Sequence, residues 1–206
     1  MRGNIHWVFD YDGVIGNTLP AINRFNMSKY NLDEAGARQN LREYAAKARH
    51  CKRSRTPDSE AFAHAWNREF VEFLAGDYPP VFTEFVEVLS RFPSLRRAVV
   101  SNNTERSIRP VLSQIPLPFS PVLGLEHHHS KEERIEVIAK EWRVGLRQIN
   151  FLTDTVADVL EVSYLLPKQN IYACTWGCHE RSDFATLLPR QNILEDFEDI
   201  VPVLSV

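Results

Sequence analysis

The sequence is poor in cysteine and has no long hydrophobic run. Its 206 residues include three cysteines, Cys51, Cys174 and Cys178, which cannot all pair with one another and lack the Cys-x-x-Cys spacing of a zinc site. No segment approaches the roughly 18 consecutive apolar residues that a membrane-spanning helix needs, and the first residues lack the apolar stretch of a secretory signal. We therefore expect reduced thiols, a cytoplasmic location and no membrane association.

A strong charge of one sign is also missing. The chain carries 24 Lys and Arg against 27 Asp and Glu, a formal net charge of -3. This balance gives no reason to expect nucleic acid or an anionic membrane as a partner. What the chain does contain is 44% hydrophobic and 11% aromatic residues, enough to bury one full core and a small inserted unit.

Five short apolar runs end at polar or small residues. Runs of this length are typical of strands buried on both faces of a parallel sheet. Segments with helical spacing separate them, such as the one that begins at the capping-box pair Ser130 and Glu133. This alternation predicts an α/β fold, a doubly wound, Rossmann-like parallel sheet. The runs are IHWVF at 5–9, RRAVV at 96–100, PVLGL at 121–125, INFLT at 149–153 and NIYAC at 170–174.

Residues 17–77 interrupt that alternation. They contain helical patterns and no convincing strand, and Tyr-Pro-Pro at 78–80 marks the return to the α/β pattern. We predict a core domain of residues 1–16 and 78–206, with residues 17–77 inserted as a helical cap domain. This segment, called the insert below, should lie over the carboxyl ends of the strands, where open α/β sheets bind ligands.

Polar side chains follow the first, second and fourth apolar runs, and a lysine opens the helix after the third. Because the carboxyl ends of parallel strands lie along one edge of a sheet, these groups should meet in a single crevice although they are far apart in the sequence. The candidates are Asp10, Asp12, Ser101, Asn102, Lys131, Asp154 and Asp158.

Four carboxylates in one small volume indicate a bound cation. They would otherwise repel one another and raise one another's pKa. Mg²⁺ is the best candidate cofactor, because it prefers oxygen ligands and leaves a position for an oxygen of a substrate phosphate. Ser101 and Lys131 could then hold the remaining oxygens of that phosphate. The set of residues therefore suits phosphoryl transfer.

Four segments carry these candidates: FDYDGVI at 9–15, VVSNN at 99–103, SKEER at 130–134 and FLTDTVADV at 151–159. In this order and spacing they resemble the four motifs of the haloacid dehalogenase (HAD) superfamily. The insert is similar to the helical cap of the superfamily's phosphoglycolate phosphatase and phosphoglucomutase relatives. The resemblance implies a phosphoric monoester hydrolase that acts on a small-molecule phosphate ester through an aspartyl-phosphate intermediate.

The resemblance also implies a catalytic role for each candidate residue. Asp10 would be the nucleophile that attacks phosphorus. Asp12 would protonate the leaving group and then deprotonate the attacking water. Ser101 and Asn102 would donate hydrogen bonds to the phosphoryl group, and Lys131 would balance its charge.

The metal ligands follow from the same resemblance. Asp10, Asp154 and the backbone carbonyl of Asp12 would hold Mg²⁺. Asp158 lies one helical turn beyond Asp154 and shares its face, so it would bind the ion through a water molecule or orient Lys131.

Two residues depart from the superfamily pattern. Asn17 stands where many relatives have an acidic residue, and Thr153 stands where many have glycine. Neither change removes a group from the proposed chemistry, but Asn17 removes a carboxylate contact to the cap or the substrate. The run His127, His128 and His129 is interpreted as a polar loop, because adjacent side chains diverge.

Other functions stay open at this stage. A phosphomutase would share every motif residue and differ only in passing the phosphoryl group to a second sugar hydroxyl. The segment 38–55, with seven basic residues and one acidic residue, Glu43, is read first as a solvated face. It could instead attract an anionic substrate or serve a polynucleotide 5'-phosphatase. A binding protein without catalysis is disfavoured, since Asp10 and Asp12 are both present. The sequence selects no particular ester and no oligomeric state.

Overall fold

A parallel β-sheet forms the centre of the molecule. The computed structural model describes residues 5–48, 52–127 and 130–205. The strands of the sheet are β1 (His6–Phe9), β2 (Arg97–Val100), β3 (Val122–Leu123), β4 (Ile149–Thr153), β5 (Ile171–Cys174) and β6 (Ile193–Leu194). Their order is β3-β2-β1-β4-β5-β6, and every neighbouring pair is parallel. The predicted α/β fold is confirmed.

Each predicted apolar run contains a strand, and one strand was missed. All residues of β2 and β4 are buried, as the unbroken apolar runs predicted. The missed strand is β6, which consists of Ile193–Leu194 alone. Two apolar residues do not form a recognisable period, so only their pairing with β5 defines them as a strand.

The strand β1 lies at the point where the strand order reverses. It pairs with β2 on one side and β4 on the other, so that Val8 is the register partner of both Ala98 and Phe151. Ligands of open α/β sheets bind outside the carboxyl ends of the strands at such a point. The residues that follow β1, β2 and β4 therefore face one crevice.

Helices of the described residues cover both faces of this sheet and form the insert. They are α1 (Leu19–Tyr30), α2 (Glu34–Ala45), α3 (Pro57–Leu74), α4 (Thr83–Ser90), α5 (Glu105–Leu112), α6 (Lys131–Trp142), α7 (Val156–Val162), α8 (Arg181–Phe184) and α9 (Val201–Leu204). In the described ranges, none of them has the length and apolar character needed to cross a membrane. The predicted capping box is confirmed, because Ser130 and Glu133 bond reciprocally at the start of α6.

Neighbouring residues of β1 anchor the strand in two separate cores. Phe9 belongs to a cluster that includes Phe85, whereas Val8 belongs to a second cluster that includes Ile135 and Phe151. Successive side chains of a strand point to opposite faces, so β1 is held from both sides. This anchoring fixes the position of Asp10, the next residue.

The insert folds as three helices with an apolar cluster of their own. The helices α1, α2 and α3 all fall within residues 17–77. Side chains of α1 and α3 form this cluster, with Phe25 and Phe70 at its centre, apart from the two clusters on the sheet. The proposed division into a core domain and a cap domain stays a prediction.

The cluster within the insert predicts a specific loss of stability. Phe70 is 0% exposed, whereas Phe73 on the same helix is 42% exposed. Phe70→Ala should lower the free energy of unfolding by about 3–5 kcal/mol, because it removes a buried ring and leaves a cavity. Phe73→Ala should cost much less. Urea denaturation followed by circular dichroism measures both, and equal losses would contradict this packing.

Candidate active site

The chain turns sharply after β1 and packs closely around Asp154. Gly13 has a φ of +71°, and a Cβ placed on it would lie 2.0 Å from Asp154 Oδ2. A Cβ on Gly177 would lie 2.3 Å from Asp154 Cβ. Glycine is therefore required at both positions, by backbone conformation at Gly13 and by close approach at both.

A buried lysine joins the carboxylates of two different strand ends. Lys131 Nζ lies 2.7 Å from Asp10 Oδ2 and 2.6 Å from Asp158 Oδ2, and all three side chains are almost fully buried. The predicted convergence of β1, α6 and the segment after β4 is thus seen directly. Three hydrogen-bonded charges at this depth form a rigid unit, since each would be costly to leave unpaired.

Asp12 accepts hydrogen bonds from the loop that follows β2. Ser101 Oγ donates to Asp12 Oδ2 at 3.0 Å, and Asn103 Nδ2 donates to Asp12 Oδ1 at 3.4 Å. From the sequence, Ser101 is expected to contact the phosphoryl group, and no role is predicted for Asn103. In this structure the Ser101 hydroxyl is turned towards Asp12, and its contact with a phosphoryl group stays a prediction.

A buried arginine that the sequence analysis missed fixes the same loop. Arg134 is fully buried, and its guanidinium donates to the Ser101 carbonyl at 2.5 Å and to Asn102 Oδ1 at 2.5 Å. Its position three residues after Lys131 places both side chains on one face of α6. This spacing from Lys131 could have indicated, from the sequence alone, that Arg134 also faces the site. Asn102 therefore reaches the site with its carbonyl oxygen already bonded.

The two aspartates after β4 have different surroundings. Asp154 Oδ2 accepts a hydrogen bond from the Cys178 backbone N–H at 2.8 Å, while Asp154 Oδ1 is buried without a partner among the described residues. Asp158 Oδ2 accepts from Thr153 Oγ1 at 2.6 Å. Thr153, a departure from the superfamily pattern, thus helps to hold Asp158. Cys174 and Cys178 are free thiols, in agreement with the prediction for these two.

Burial and local charge shift the pKa values of these groups in opposite directions. Burial raises the pKa of Asp10 well above its usual range, although Lys131 opposes the rise. It also raises the pKa of Asp12, and that of Asp154 to about 7. Burial alone would raise the pKa of Asp158 too, but the charge of Lys131 brings it below its usual value. The ammonium of Lys131 thus stabilises the ionised form of Asp158 most strongly. The pKa values of Asp10, Asp12 and Asp154 stay raised because too little positive charge lies near them.

The donor atoms fit a hard divalent cation. Asp154 Oδ1 is a buried oxygen without a donor, and Asp10 and Asp154 both line one cavity. Within the described ranges, no three acidic, histidine or cysteine side chains are already arranged as a metal-binding group. Mg²⁺ usually takes only one or two carboxylates and completes its shell with water and substrate oxygens. The backbone carbonyl of Asp12 would add a further protein oxygen.

A cavity of about 440 Å³ extends from these carboxylates to the insert. The charged residues at its floor are Asp10, Asp12, Lys131, Asp154 and Asp158. Most of the remaining wall comes from α1, α2 and α3. A ligand in this cavity would therefore contact the candidate catalytic groups at one end and the insert at the other.

His127, the described member of the histidine run, does not line this cavity. Its ring is bonded to the carboxylate of Glu105. His128 and His129 lie outside the described residues, as does Cys51.

Ion pairs join the basic segment of the insert to the sheet-covering helices. The guanidinium of Arg42 lies 2.9 Å from Glu180, the residue that precedes α8, and 2.9 Å from Asp183 within α8. Lys52 Nζ lies 2.7 Å from Glu136 on α6. These contacts hold the insert over the carboxyl ends of the strands, where the sequence predicted it to lie.

Solved structures show the same arrangement of elements. The protein has the fold of the haloacid dehalogenase-like hydrolases, which confirms the predicted resemblance at the level of the fold. A predicted phosphoglycolate phosphatase from Haemophilus somnus is 20% identical with a TM-score of 0.64, covering 98% of this chain and 99% of its own. A haloacid dehalogenase-like hydrolase from Streptococcus pneumoniae is 16% identical with a TM-score of 0.70, covering 98% and 99%.

A protein named for a different reaction, that of a mutase, has this fold as well. A protein from Thermotoga maritima, provisionally named a β-phosphoglucomutase, is 16% identical with a TM-score of 0.58 and covers 98% of each chain. Neither a protein-family model nor a curated protein matches the sequence. At these identities the solved structures define the fold and not the reaction.

A second buried carboxylate that the sequence analysis missed supports the start of α6. Glu161 Oε1 accepts hydrogen bonds from the backbone N–H groups of Lys131 at 2.5 Å and Glu132 at 3.4 Å. Burial, with the charge of Asp158 nearby, raises the pKa of Glu161 to about 7. The carboxylate therefore stabilises the helix end that carries Lys131, at the cost of its own desolvation.

This raised pKa predicts a pH dependence of stability. The folded chain binds the Glu161 proton more tightly than the unfolded chain, so the free energy of unfolding should fall as pH rises from about 4.5 to about 7. In Glu161→Gln, the decrease in the free energy of unfolding over this pH range should be smaller by an amount on the order of 3 kcal/mol. Urea denaturation at several pH values measures it, with the exposed Glu141→Gln as the control. Equal slopes in both variants would contradict the assignment.

Proposed function

We propose that the protein is a HAD-type phosphatase that hydrolyses a small-molecule phosphate monoester with the help of Mg²⁺. The observation that carries this proposal is the meeting of Asp10, Asp12 and Lys131 at the floor of one cavity. A nucleophile, an acid and base, and a fixed cation are the groups that phosphoryl transfer requires. The fold shared with solved hydrolases and phosphatases supports the same reaction class.

Asp10 is the nucleophile of this mechanism. Its Oδ1 accepts a hydrogen bond from the Tyr11 backbone N–H at 2.7 Å, and its Oδ2 contacts Lys131. One carboxylate oxygen attacks phosphorus, a bond from oxygen to phosphorus forms, and the ester bond breaks with release of the leaving alkoxide. Water then attacks the aspartyl phosphate, which frees inorganic phosphate and restores Asp10. Bound Mg²⁺ would neutralise charge on the phosphoryl oxygens.

Asp12 is the acid and base. Burial raises the pKa of its carboxyl, which favours holding a proton for the leaving group. Ser101 and Asn103 fix the orientation of this carboxyl through their hydrogen bonds. After the first step the ionised Asp12 removes a proton from the attacking water.

Replacing the nucleophile tests this mechanism. Asp10→Asn keeps the size of the side chain and removes the attacking carboxylate, so phosphate release should fall at least about 1,000-fold. The substrate is p-nitrophenyl phosphate with Mg²⁺, and the product is inorganic phosphate. Asp77→Asn, at an exposed position, is the matched control and should stay fully active. Retained activity in Asp10→Asn would overturn the mechanism.

The products separate a phosphatase from a phosphomutase on the same residues. A phosphatase gives inorganic phosphate in step with loss of a sugar phosphate, whereas a mutase gives an isomer of the same sugar phosphate. We expect phosphate release without isomer.

The insert acts as a cap that excludes water from the reaction. Arg42 bridges it to α8 through two carboxylates, whereas Arg38 on the same helix pairs with Glu34 within α2. Partly exposed pairs of this kind contribute at most about 1 kcal/mol each and weaken in salt.

Removing the bridge should therefore favour the open cap. We expect Arg42→Met to lower kcat/KM about threefold to fivefold and to reduce its dependence on NaCl concentration. Arg38→Met should change neither, because its pair does not cross to α8. If both variants show the same salt dependence, the bridge does not control the cap.

A further inference from the structure

The wall of the cavity indicates which leaving group the site accepts. We infer that, if the protein is a phosphatase as proposed, its substrates are nucleoside 5'-monophosphates, phosphate esters whose leaving group is an uncharged unit with a flat ring and polar edges. The alternative suggested by the relatives' names is a short anionic leaving group such as glycolate. The wall favours the nucleoside by its shape, its apolar surface, its polar groups and its charge.

The helices α1 and α3 each turn one stripe of side chains to the cavity, whereas α2 lines it with Asn40, Leu41, Glu43, Tyr44 and Ala45. On α1 the stripe contains Leu19, Ile22 and Asn26, spaced three and four residues apart. Positions with this spacing lie on one face of a helix. The stripes are mainly apolar, so the bound leaving group must have apolar surface to cover them.

Aromatic rings make up a large part of the wall. Trp66 stacks on the buried Phe70 with ring centroids 5.1 Å apart, which holds its indole in place. Phe62 also lines the cavity, its ring lies 6.3 Å from that of Tyr44, and the residue is 48% exposed. Exposed flat rings bind other flat rings well, because a nucleobase offers a π-face of matching size.

Two buried amides supply polar groups among these rings. Asn26 and Asn67 line the cavity and are 3% and 6% exposed. The Oδ1 atoms of both accept no hydrogen bond from the described residues, while Asn67 Nδ2 donates to the Ala63 carbonyl at 3.0 Å. An amide carries both donors and an acceptor, and it matches the edges of nucleobases and the hydroxyls of ribose.

Among the described residues, the wall carries little of the positive charge that a carboxylate leaving group would need. Away from the floor, the charged residues among the described lining are Glu43 and Lys47, both exposed and of opposite sign. The floor carries four aspartates and one lysine, which disfavours a second anion nearby. A neutral leaving group needs no positive charge on the wall and places no second anion near the aspartates of the floor.

The size of the cavity agrees with this choice. At about 440 Å³ it is several times larger than a two-carbon acid, and it falls in the range of sites that enclose whole small molecules. A glycolate would leave most of the aromatic wall uncovered.

A substrate panel tests the inference separately from the proposed function. Hydrolysis of p-nitrophenyl phosphate with Mg²⁺ reports whether the protein is a phosphatase at all. Given that activity, kcat/KM for nucleoside 5'-monophosphates should exceed that for phosphoglycolate and for glucose 6-phosphate at least about tenfold. Equal or higher kcat/KM for phosphoglycolate would overturn the inference while leaving the phosphatase proposal intact.

Paired variants test whether the wall makes this selection. Asn26→Ala should raise KM for a nucleoside 5'-monophosphate about fivefold to tenfold. Asn23→Ala, on the same helix but outside the cavity lining, is the control and should leave KM unchanged. Trp66→Leu should weaken nucleotide binding in the same way. Thermal midpoints of all variants exclude unfolding as the cause.

One further variant addresses the rival leaving group. If Lys47 bound a substrate carboxylate, Lys47→Met would abolish hydrolysis of phosphoglycolate and spare that of nucleotides. That result, together with equal KM values for Asn26→Ala and Asn23→Ala, would reject the inference. We expect Lys47→Met to change neither substrate appreciably.

Discussion

The site depends on one buried ammonium group. Lys131 Nζ lies between Asp10 and Asp158 at hydrogen-bond distance, in a volume that also contains Asp12 and Asp154. Its charge brings the pKa of Asp158 below the usual value and opposes the rise in the pKa of Asp10, although burial favours the protonated form of both. The lysine at the first turn of α6 is itself unfavourable, because a helix N-terminus is positive. Glu161 offsets this by accepting hydrogen bonds from the first N–H groups of the helix.

The sheet topology brings these distant residues together. Asp10 follows β1, the loop with Ser101 follows β2, and Asp154 follows β4, and these three strands are neighbours in the sheet. Because all strands run in one direction, their carboxyl ends form a single edge. These three polar segments could therefore be joined into one site from the sequence, since each lies directly after a recognisable apolar run.

Other parts of the site were not predictable by the same reasoning. Arg134, Glu161 and Asn103 act through groups that are near only in the folded chain, and as isolated residues they resemble ordinary helix or loop positions. The pair of residues in β6 was too short to show a period. Thr153 looked like a neutral departure from a family pattern, but its hydroxyl supports Asp158. Three-dimensional neighbours, more than local pattern, define these roles.

The fold also indicates a role for the basic segment of the insert. Its charge could have served to attract an anionic substrate, yet Arg42 and Lys52 are paired with acids of α8 and α6 outside the cavity. The cavity wall between them is aromatic and amide-bearing. Because these cations hold the insert in place, the charge of the segment is compatible with a neutral leaving group. We therefore propose that the strand ends set the chemistry and that the mainly uncharged faces of the three insert helices select the ester.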